Sequence, residues 1–161
     1  MTAPRAIVIT ASSRASQGIY EDSSGEILTE GLTQLGFEVL PKVIVRDDQL
    51  LIADEIRKAI DLKIELIATT GGTGVSPTDV TPEATAQFIK KALPGFNEAL
   101  RSYSREKVPT ADLTRGLAGT NNHSFIVNLP GSPGGVRDGL VILGRLAHHI
   151  IGQLRGEDHV R

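Results

Sequence analysis

The chain contains no cysteine and no tryptophan, one methionine, and aromatic residues at only 4% of its 161 positions. Without thiols there can be no structural disulfide, thiolate metal centre or cysteine nucleophile. With so few rings the interior must be built from Ile, Leu, Val and Ala, because apolar residues still make up 40% of the sequence. A basic excess is missing too: 17 Lys and Arg stand against 19 Asp and Glu, a net charge of -2. That balance leaves no electrostatic footprint for nucleic acid. No apolar run approaches the about 20 residues of a membrane span. Met1 to Arg5 lead into a short apolar strand rather than a signal peptide, so no membrane partner and a cytoplasmic location are expected. Repeats, low-complexity tracts and linkers are also absent. One domain over 1–161 is therefore expected, large enough to bury a core, with a frayed tail at 156–161.

Strand and helix patterns alternate over the first half. Ala6 to Thr10 reads as a buried strand, followed by a polar loop from Ala11 to Gly18. Asp22, Ser23 or Ser24 caps a helix with Ile27, Leu28, Leu32 and Leu35 on one side, stopped by Gly36. Phe37 to Val45 forms a second strand region, in which Pro41 marks an edge or a bulge. Arg46 to Gln49 turns into a helix carrying Leu51, Ile52, Ile56, Ala59 and Ile60 at helical spacing. Ile64 to Thr69 is another buried strand, and helices are expected over Thr81 to Lys91 and Gly95 to Lys107. Ala111 to Gly116 fits either a short strand or an ordered loop, Asn121-Asn122 a turn, and His123 to Leu129 a last strand. Val136, Leu140, Leu143, Ala147, Ile150 and Leu154 mark a closing helix. This order predicts an α/β fold with a largely parallel sheet and crossover helices.

Two glycine-rich loops join strands to helices in this pattern. The first, Thr70-Gly71-Gly72-Thr73-Gly74, runs on to Asp79 and to a helix start at Thr81-Pro82-Glu83, with Thr81 as the expected cap. The second, Pro130-Gly131-Ser132-Pro133-Gly134-Gly135, follows Asn128. Such loops lie at the carboxyl ends of strands, where free amides at a helix start favour phosphate. Neither is a Walker A loop or a dinucleotide fingerprint. Two phosphate-competent loops in one small domain suit a reaction between two phosphorylated molecules better than the binding of one. Asp47 and Asp79 both follow strands and precede helices, so a parallel sheet can bring them to one edge. There they are either helix caps or a pair suited to Mg²⁺, which takes one or two carboxylates and completes its shell with water and phosphate. His148 and His149 are adjacent on a helix and diverge, which suits surface or interface residues rather than a metal clamp.

The order Thr-Gly-Gly-Thr-Gly, Ser-Pro-Thr-Asp and Thr-Pro-Glu-Ala, with Asn128-Leu129-Pro130-Gly131-Ser132-Pro133 further on, resembles the molybdopterin adenylyltransferase (Mog/MoaB) family of molybdenum cofactor biosynthesis. The resemblance spans about Arg5 to Leu154. It implies a three-layer α/β/α fold with a mostly parallel, mixed sheet, commonly a homotrimer, that uses Mg-ATP to adenylylate molybdopterin and releases pyrophosphate. It implies catalytic, Mg²⁺-binding roles for Asp47 and Asp79. It also implies that Gly71, Gly72, Thr73 and Gly74, together with Asn128, Pro130, Gly131 and Ser132, bind pterin and nucleotide. Leu113-Thr114-Arg115 resembles a Leu-Ser-Arg segment near bound pterin, with Thr114 keeping the hydroxyl and Arg115 the cation. Ser12 matches the Ser-Asp found in the family after the first strand, whereas Ser13 departs from it. A separate molybdate-inserting protein is the downstream partner implied. Related domains also serve as non-catalytic molybdopterin-binding or carrier proteins, a reading against which the retained acid pair weighs. An oligomeric structural protein would leave both loops unexplained.

Overall fold

The computed structural model describes residues 2–157. Its strands are β1 (Arg5–Ala11), β2 (Glu38–Val39), β3 (Val43–Val45), β4 (Leu66–Thr70), β5 (Lys91–Ala92), β6 (Ala118–Thr120) and β7 (Phe125–Leu129). Its helices are α1 (Ser13–Ser16), α2 (Ser23–Gln34), α3 (Gln49–Asp61), α4 (Thr81–Ala86), α5 (Pro94–Ser104) and α6 (Pro133–Leu154), with a 3-10 turn at Pro109–Leu113.

One mixed sheet runs in the order β2-β1-β4-β7-β6-β5, and β3 continues the β2 edge by pairing with β1. The central strands β1, β4 and β7 are parallel and share one register: Ala6 lies beside Leu66, which lies beside Phe125. On the far side β6 runs antiparallel to β7, and β5 antiparallel to β6.

Side chains alternate across these strands and fill two separate cores. Ala6, Val8, Leu66, Ala68, Phe125 and Val127 face one layer, where Leu28 and Leu32 of α2, Phe96 and Leu100 of α5, and Leu143 and Ala147 of α6 close over them. Ile9, Ile67 and Ile126 face the other, under Ile52 and Ile56 of α3 and Ala84 of α4. The three-layer α/β/α arrangement is thus built almost without rings; Phe96 and Phe125, 5.7 Å apart and edge to face, are the main aromatic contact.

Several expectations are revised by tertiary context. The Phe37 to Val45 region divides into two short strands around Pro41, which has no N–H to pair. The helix expected to reach Lys91 ends at Ala86, because Lys90 and Leu93 donate their N–H groups to Thr120 and Ala118 along β6. Thr81 is not a cap: Val80 precedes the helix, and the Thr81 hydroxyl is buried without a partner. Ala111 to Gly116 enters the 3-10 turn and then an extended loop, and the short β6 follows it. The loop after β1 winds into α1, which Ser12 caps by accepting from Ala15 N–H at 3.1 Å. Gly156 and Glu157 close α6 through N–H bonds to Gln153 and Gly152; the rest of the expected frayed tail lies outside the described residues. Among the described residues no helix is long and apolar enough to cross a membrane.

His148 does not point away from the protein: its Nε2 lies 2.6 Å from the Leu35 carbonyl oxygen and its ring stacks on Phe37 at 4.6 Å. At the end of the sheet where the parallel strands begin, Arg155 Nε donates to Glu65 at 2.6 Å and ties α6 to the start of β4.

The Arg155 guanidinium holds the Glu65 carboxyl below its ordinary value of 4.5, against the effect of burial and with help from the Arg5 N–H. A depressed carboxylate contributes stability that is complete above its unfolded value and is lost as pH falls through the folded one. Urea unfolding between about pH 7 and pH 3 is expected to show a larger loss on acidification for wild type than for Glu65→Gln. Equal losses would show that the pair contributes nothing.

Candidate functional site

The shared register of β1, β4 and β7 brings Ala11, Thr70 and Leu129 to one edge of the sheet. β1 is flanked by β2 and β3 on one side and by β4 on the other, so the chain reverses its direction of progress across the sheet at this edge. Open α/β sheets hold ligands at such a point. Both glycine loops leave here and are fastened together. Thr70 Oγ1 donates to Pro130 O at 2.7 Å, Gly71 N donates to Leu129 O at 3.2 Å, and Ser24 Oγ donates to Gly131 O at 2.7 Å.

Gly71 and Gly72 take φ values of +94° and +67°, a region that L side chains rarely enter. A side chain at Gly71 would collide with the Ala11 carbonyl, and one at Gly72 with the Thr81 hydroxyl. The loop therefore lies flat against the end of β1 and the start of α4, and Gly71 and Gly72 line the space above it.

That space consists of two cavities set against the paired loops. One, of about 410 Å³, is lined by Gly71, Gly72 and Gly131 and by the polar groups of Ser12, Asp47 and Asp79. The other, of about 330 Å³, meets the same loops through Thr73, Gly74, Pro130 and Ser132 and extends over Leu113 and Thr114. The loops form a wall shared by both.

The first cavity is acidic. Glu21, Asp22, Asp47 and Asp79 line it, and among the described residues no Lys or Arg does. Asp22 is neutralised from behind, since Lys42 Nζ lies 3.0 Å from its Oδ2 and 2.7 Å from Glu26. Burial alone would lower the Lys42 ammonium, but the bonds to Glu26 and Asp22 outweigh it and hold Lys42 above the ordinary lysine value. Asp22 also caps α2, accepting from Gly25 N–H at 3.0 Å and from the Thr10 hydroxyl at 2.7 Å.

Asp47 and Asp79 are held differently. Asp48, not Asp47, caps α3, through Leu51 N–H at 3.0 Å. Asp47 Oδ2 instead accepts from both the N–H and the hydroxyl of Ser13, at 3.0 and 3.1 Å, and the Asp47 N–H donates back to the same hydroxyl at 3.1 Å. This leaves Oδ1 facing the loop, where a methyl group on Gly72 would lie 3.6 Å from it. Asp79 Oδ2 accepts from Ser76 N–H at 3.0 Å and lies 2.7 Å from the position of a methyl group on Gly74. Each carboxylate is thus oriented through one oxygen while the other receives no hydrogen bond from the described residues. The Ser13 hydroxyl donates a hydrogen bond to Asp47, which a carboxylate at that position could not do.

The other candidates fall into two groups. Ser12, Gly71, Gly72 and Gly131 line the acidic cavity, and Thr73, Gly74, Thr114, Pro130 and Ser132 line the second. Arg115 and Asn128 reach neither cavity. Arg115 stands behind the first loop: its Nε donates to Gly74 O at 2.8 Å, its Nη2 to Asp79 O at 3.0 Å, and its Nη1 to Glu83, while Thr73 O accepts its backbone N–H. It braces both ends of the segment that carries Asp79 and holds the Glu83 carboxyl below its ordinary value. Asn128 is fully buried; its Oδ1 accepts from Leu117 N–H at 3.0 Å and its Nδ2 donates to Thr69 and Thr85 hydroxyls, each at 2.9 Å. The amide bonds the base of the site to itself. Sequence reasoning missed the Ser13 clamp, and missed Lys42 and also Tyr20, which lines the acidic cavity with its hydroxyl 3.2 Å from Ser12 Oγ; neither carries a motif.

Fold and site together define an α/β domain with two ligand cavities set against a common pair of glycine loops. Residues 7–149 match the family described as "Probable molybdopterin binding domain". The chain belongs to that family. It is 46% identical over 134 residues to the molybdopterin adenylyltransferase of Helicobacter pylori (strain ATCC 700392 / 26695), covering 81% of this chain and 76% of that one. Identity to the molybdopterin adenylyltransferase of Escherichia coli (strain K12) is 36% over 137 residues, covering 83% and 70%. The solved structure of the molybdopterin biosynthesis Mog protein from Mycobacterium ulcerans superposes with a TM-score of 0.90 at 44% identity, covering 94% of this chain and 99% of that one.

Asn128→Ala would strand the Leu117 N–H and the Thr69 hydroxyl inside the protein, while the Thr85 hydroxyl would keep its bond to Thr81 O. A loss of about 2–4 kcal/mol in stability is expected from urea unfolding, since each buried unpaired group costs about 1–3 kcal/mol. A loss below ~1 kcal/mol would show that the amide is not needed to hold the loops in place.

Proposed function

We propose that this chain is a molybdopterin adenylyltransferase, joining AMP from ATP to the terminal phosphate of molybdopterin. The observation that carries this reading is the shared wall: both cavities meet the same pair of loops, one through Gly71, Gly72 and Gly131 and the other through Thr73, Gly74, Pro130 and Ser132, so that two ligands would meet at the loops. The acidic cavity suits Mg-ATP, because Glu21, Asp47 and Asp79, with no lining cation among the described residues, would repel bare polyphosphate. The second cavity has apolar walls at Leu100, Val108 and Leu113 and suits the pterin ring.

Asp47 and Asp79 would hold Mg²⁺ through the carboxylate oxygens that the protein leaves without hydrogen bonds. No group of three or more His, Cys, Asp or Glu among the described residues forms a metal cage, which agrees with an ion completed by water and substrate phosphates. Bound there, the ion would supply neutralisation of charge on the reacting phosphates.

The protein itself contributes alignment. A terminal phosphate oxygen of molybdopterin forms a bond to the α-phosphorus of ATP. The bond from that phosphorus to the bridging oxygen of the β-phosphate breaks, and pyrophosphate leaves with the electron pair. Ser13 and Ser76 fix the two aspartates, Arg115 fixes the segment between Gly74 and Asp79, the Thr70 hydroxyl fixes one loop against the other, and the Ser24 hydroxyl ties the second loop to α2. Holding the two phosphates in line converts an encounter of two dilute anions into a reaction within one assembly. A homotrimer, as the family resemblance implies, belongs to the same reading, and light scattering at micromolar concentration checks it.

Asp79→Asn is expected to keep the fold and lower adenylyl transfer by at least ~10²-fold, through lost charge stabilisation. Asp47→Asn should do the same and raise the Mg²⁺ concentration needed for half-maximal rate. Normal turnover in both folded variants would overturn the Mg²⁺-binding role of the two aspartates, whereas no transfer by wild type with Mg-ATP would leave a pterin-binding protein.

A further inference from the structure

The apolar-walled cavity contains one carboxylate among its described lining residues, that of Asp138 on α6. Its side chain is 14% exposed and is held from two sides. Ser104 Oγ, at the end of α5, donates to Oδ2 at 2.7 Å, and Lys107 Nζ donates to Oδ1 at 2.7 Å. Lys107 in turn lies 4.3 Å from the centre of the Tyr103 ring, so the cation that neutralises Asp138 is itself braced. The hydrogen bond from Asp138 raises the Lys107 ammonium above its ordinary value, against the effect of burial.

A carboxylate offers about four acceptor positions. Ser104 and Lys107 occupy two, one on each oxygen, and no other donor among the described residues takes the rest. The result is a fork of two oriented acceptors in a recess whose other walls, at Leu100, Val108 and Leu113, are apolar. The mechanism above makes no use of it.

We propose that Asp138 reads the 2-amino-4-oxopyrimidine edge of the pterin, one oxygen accepting from ring N3–H and the other from the 2-amino group. The inference rests on the molybdopterin reading of this cavity. Two parallel N–H donors side by side match a carboxylate as the two donors of a guanidinium do. The apolar walls take the faces of the ring, and the glycine loops lie beyond it for the phosphate. A 2,4-dioxopteridine carries an acceptor where the amino group stood and sets it against a carboxylate oxygen. Asp138 is in this sense a specificity device: it rejects the oxo analogue as well as accepting the amino one.

Binding can be measured without turnover, using the intrinsic fluorescence of 6-(phosphooxymethyl)pterin and of its 2,4-dioxo counterpart. Wild type is expected to favour the pterin by at least ~10-fold, the size of one charge-assisted hydrogen bond. Asp138→Asn, whose amide can donate to the 2-oxo group, is expected to bring the ratio to about one or to reverse it. Ser104→Ala, which keeps the carboxylate, should retain the preference while weakening both ligands. Equal affinity of wild type for the two pteridines would overturn the proposal without any variant, and so would an unchanged ratio in folded Asp138→Asn. Binding of neither pteridine would instead overturn the pterin reading of the cavity, and the role of Asp138 with it.

Discussion

Three parallel strands that end level with one another are the constraint on which the site depends. Ala6, Leu66 and Phe125 are neighbours at one end, and Thr10, Thr70 and Leu129 at the other. A shift of one residue in β4 would turn Ile67 out of its core and place Leu66 and Ala68 on the wrong face. Burial on both faces therefore fixes the register, and the register fixes where the loops begin. Gly71 and Gly131 then approach closely enough that a methyl group on Gly131 would lie 3.1 Å from Gly71 Cα. The placement of the chemistry follows from the packing of aliphatic side chains some distance below it.

On that base the polar groups form two layers. Asn128, Thr69, Thr85 and Arg115 sit beneath or behind the loops and satisfy the groups that the loops bury. Ser12, Asp47, Asp79 and the glycine amides face the cavities. The division explains why an arginine and an asparagine within recognisable motifs do not reach the ligand spaces: a backbone bent into positive φ and stripped of water needs partners for its carbonyls. Arg115 supplies three donors in a fixed fork and suits that task better than lysine.

Much of this was legible in the chain. The buried strands, the two glycine loops and the helices α2, α3 and α6 follow from apolar periodicity and caps, which act within a few residues. Asp22 as a cap and the common edge for Asp47 and Asp79 were also accessible to that reasoning. What escaped it is set by long-range pairing. The two-residue strand β5 exists because Lys90 and Leu93 find partners in β6 about 30 residues away, not because Lys91-Ala92 prefers an extended form. The Ser13 clamp joins residues 34 positions apart, and nothing in either neighbourhood announces it. Asp138 looks like any acidic residue on a helix until α5 places Ser104 and Lys107 against it.

The Arg115 brace has a consequence for how the molecule is made. Its contacts span 41 positions to Gly74 and 36 to Asp79, and β7, which supports the first loop through Leu129 and Pro130, comes later still in the chain. During synthesis Asp47 and Asp79 leave the ribosome well before the groups that hold their loops. A nascent chain shorter than about 130 residues therefore has both carboxylates but neither the neighbouring strand nor the completed wall. The order of residues along the chain thus delays completion of the acidic cavity until nearly the whole sheet has formed.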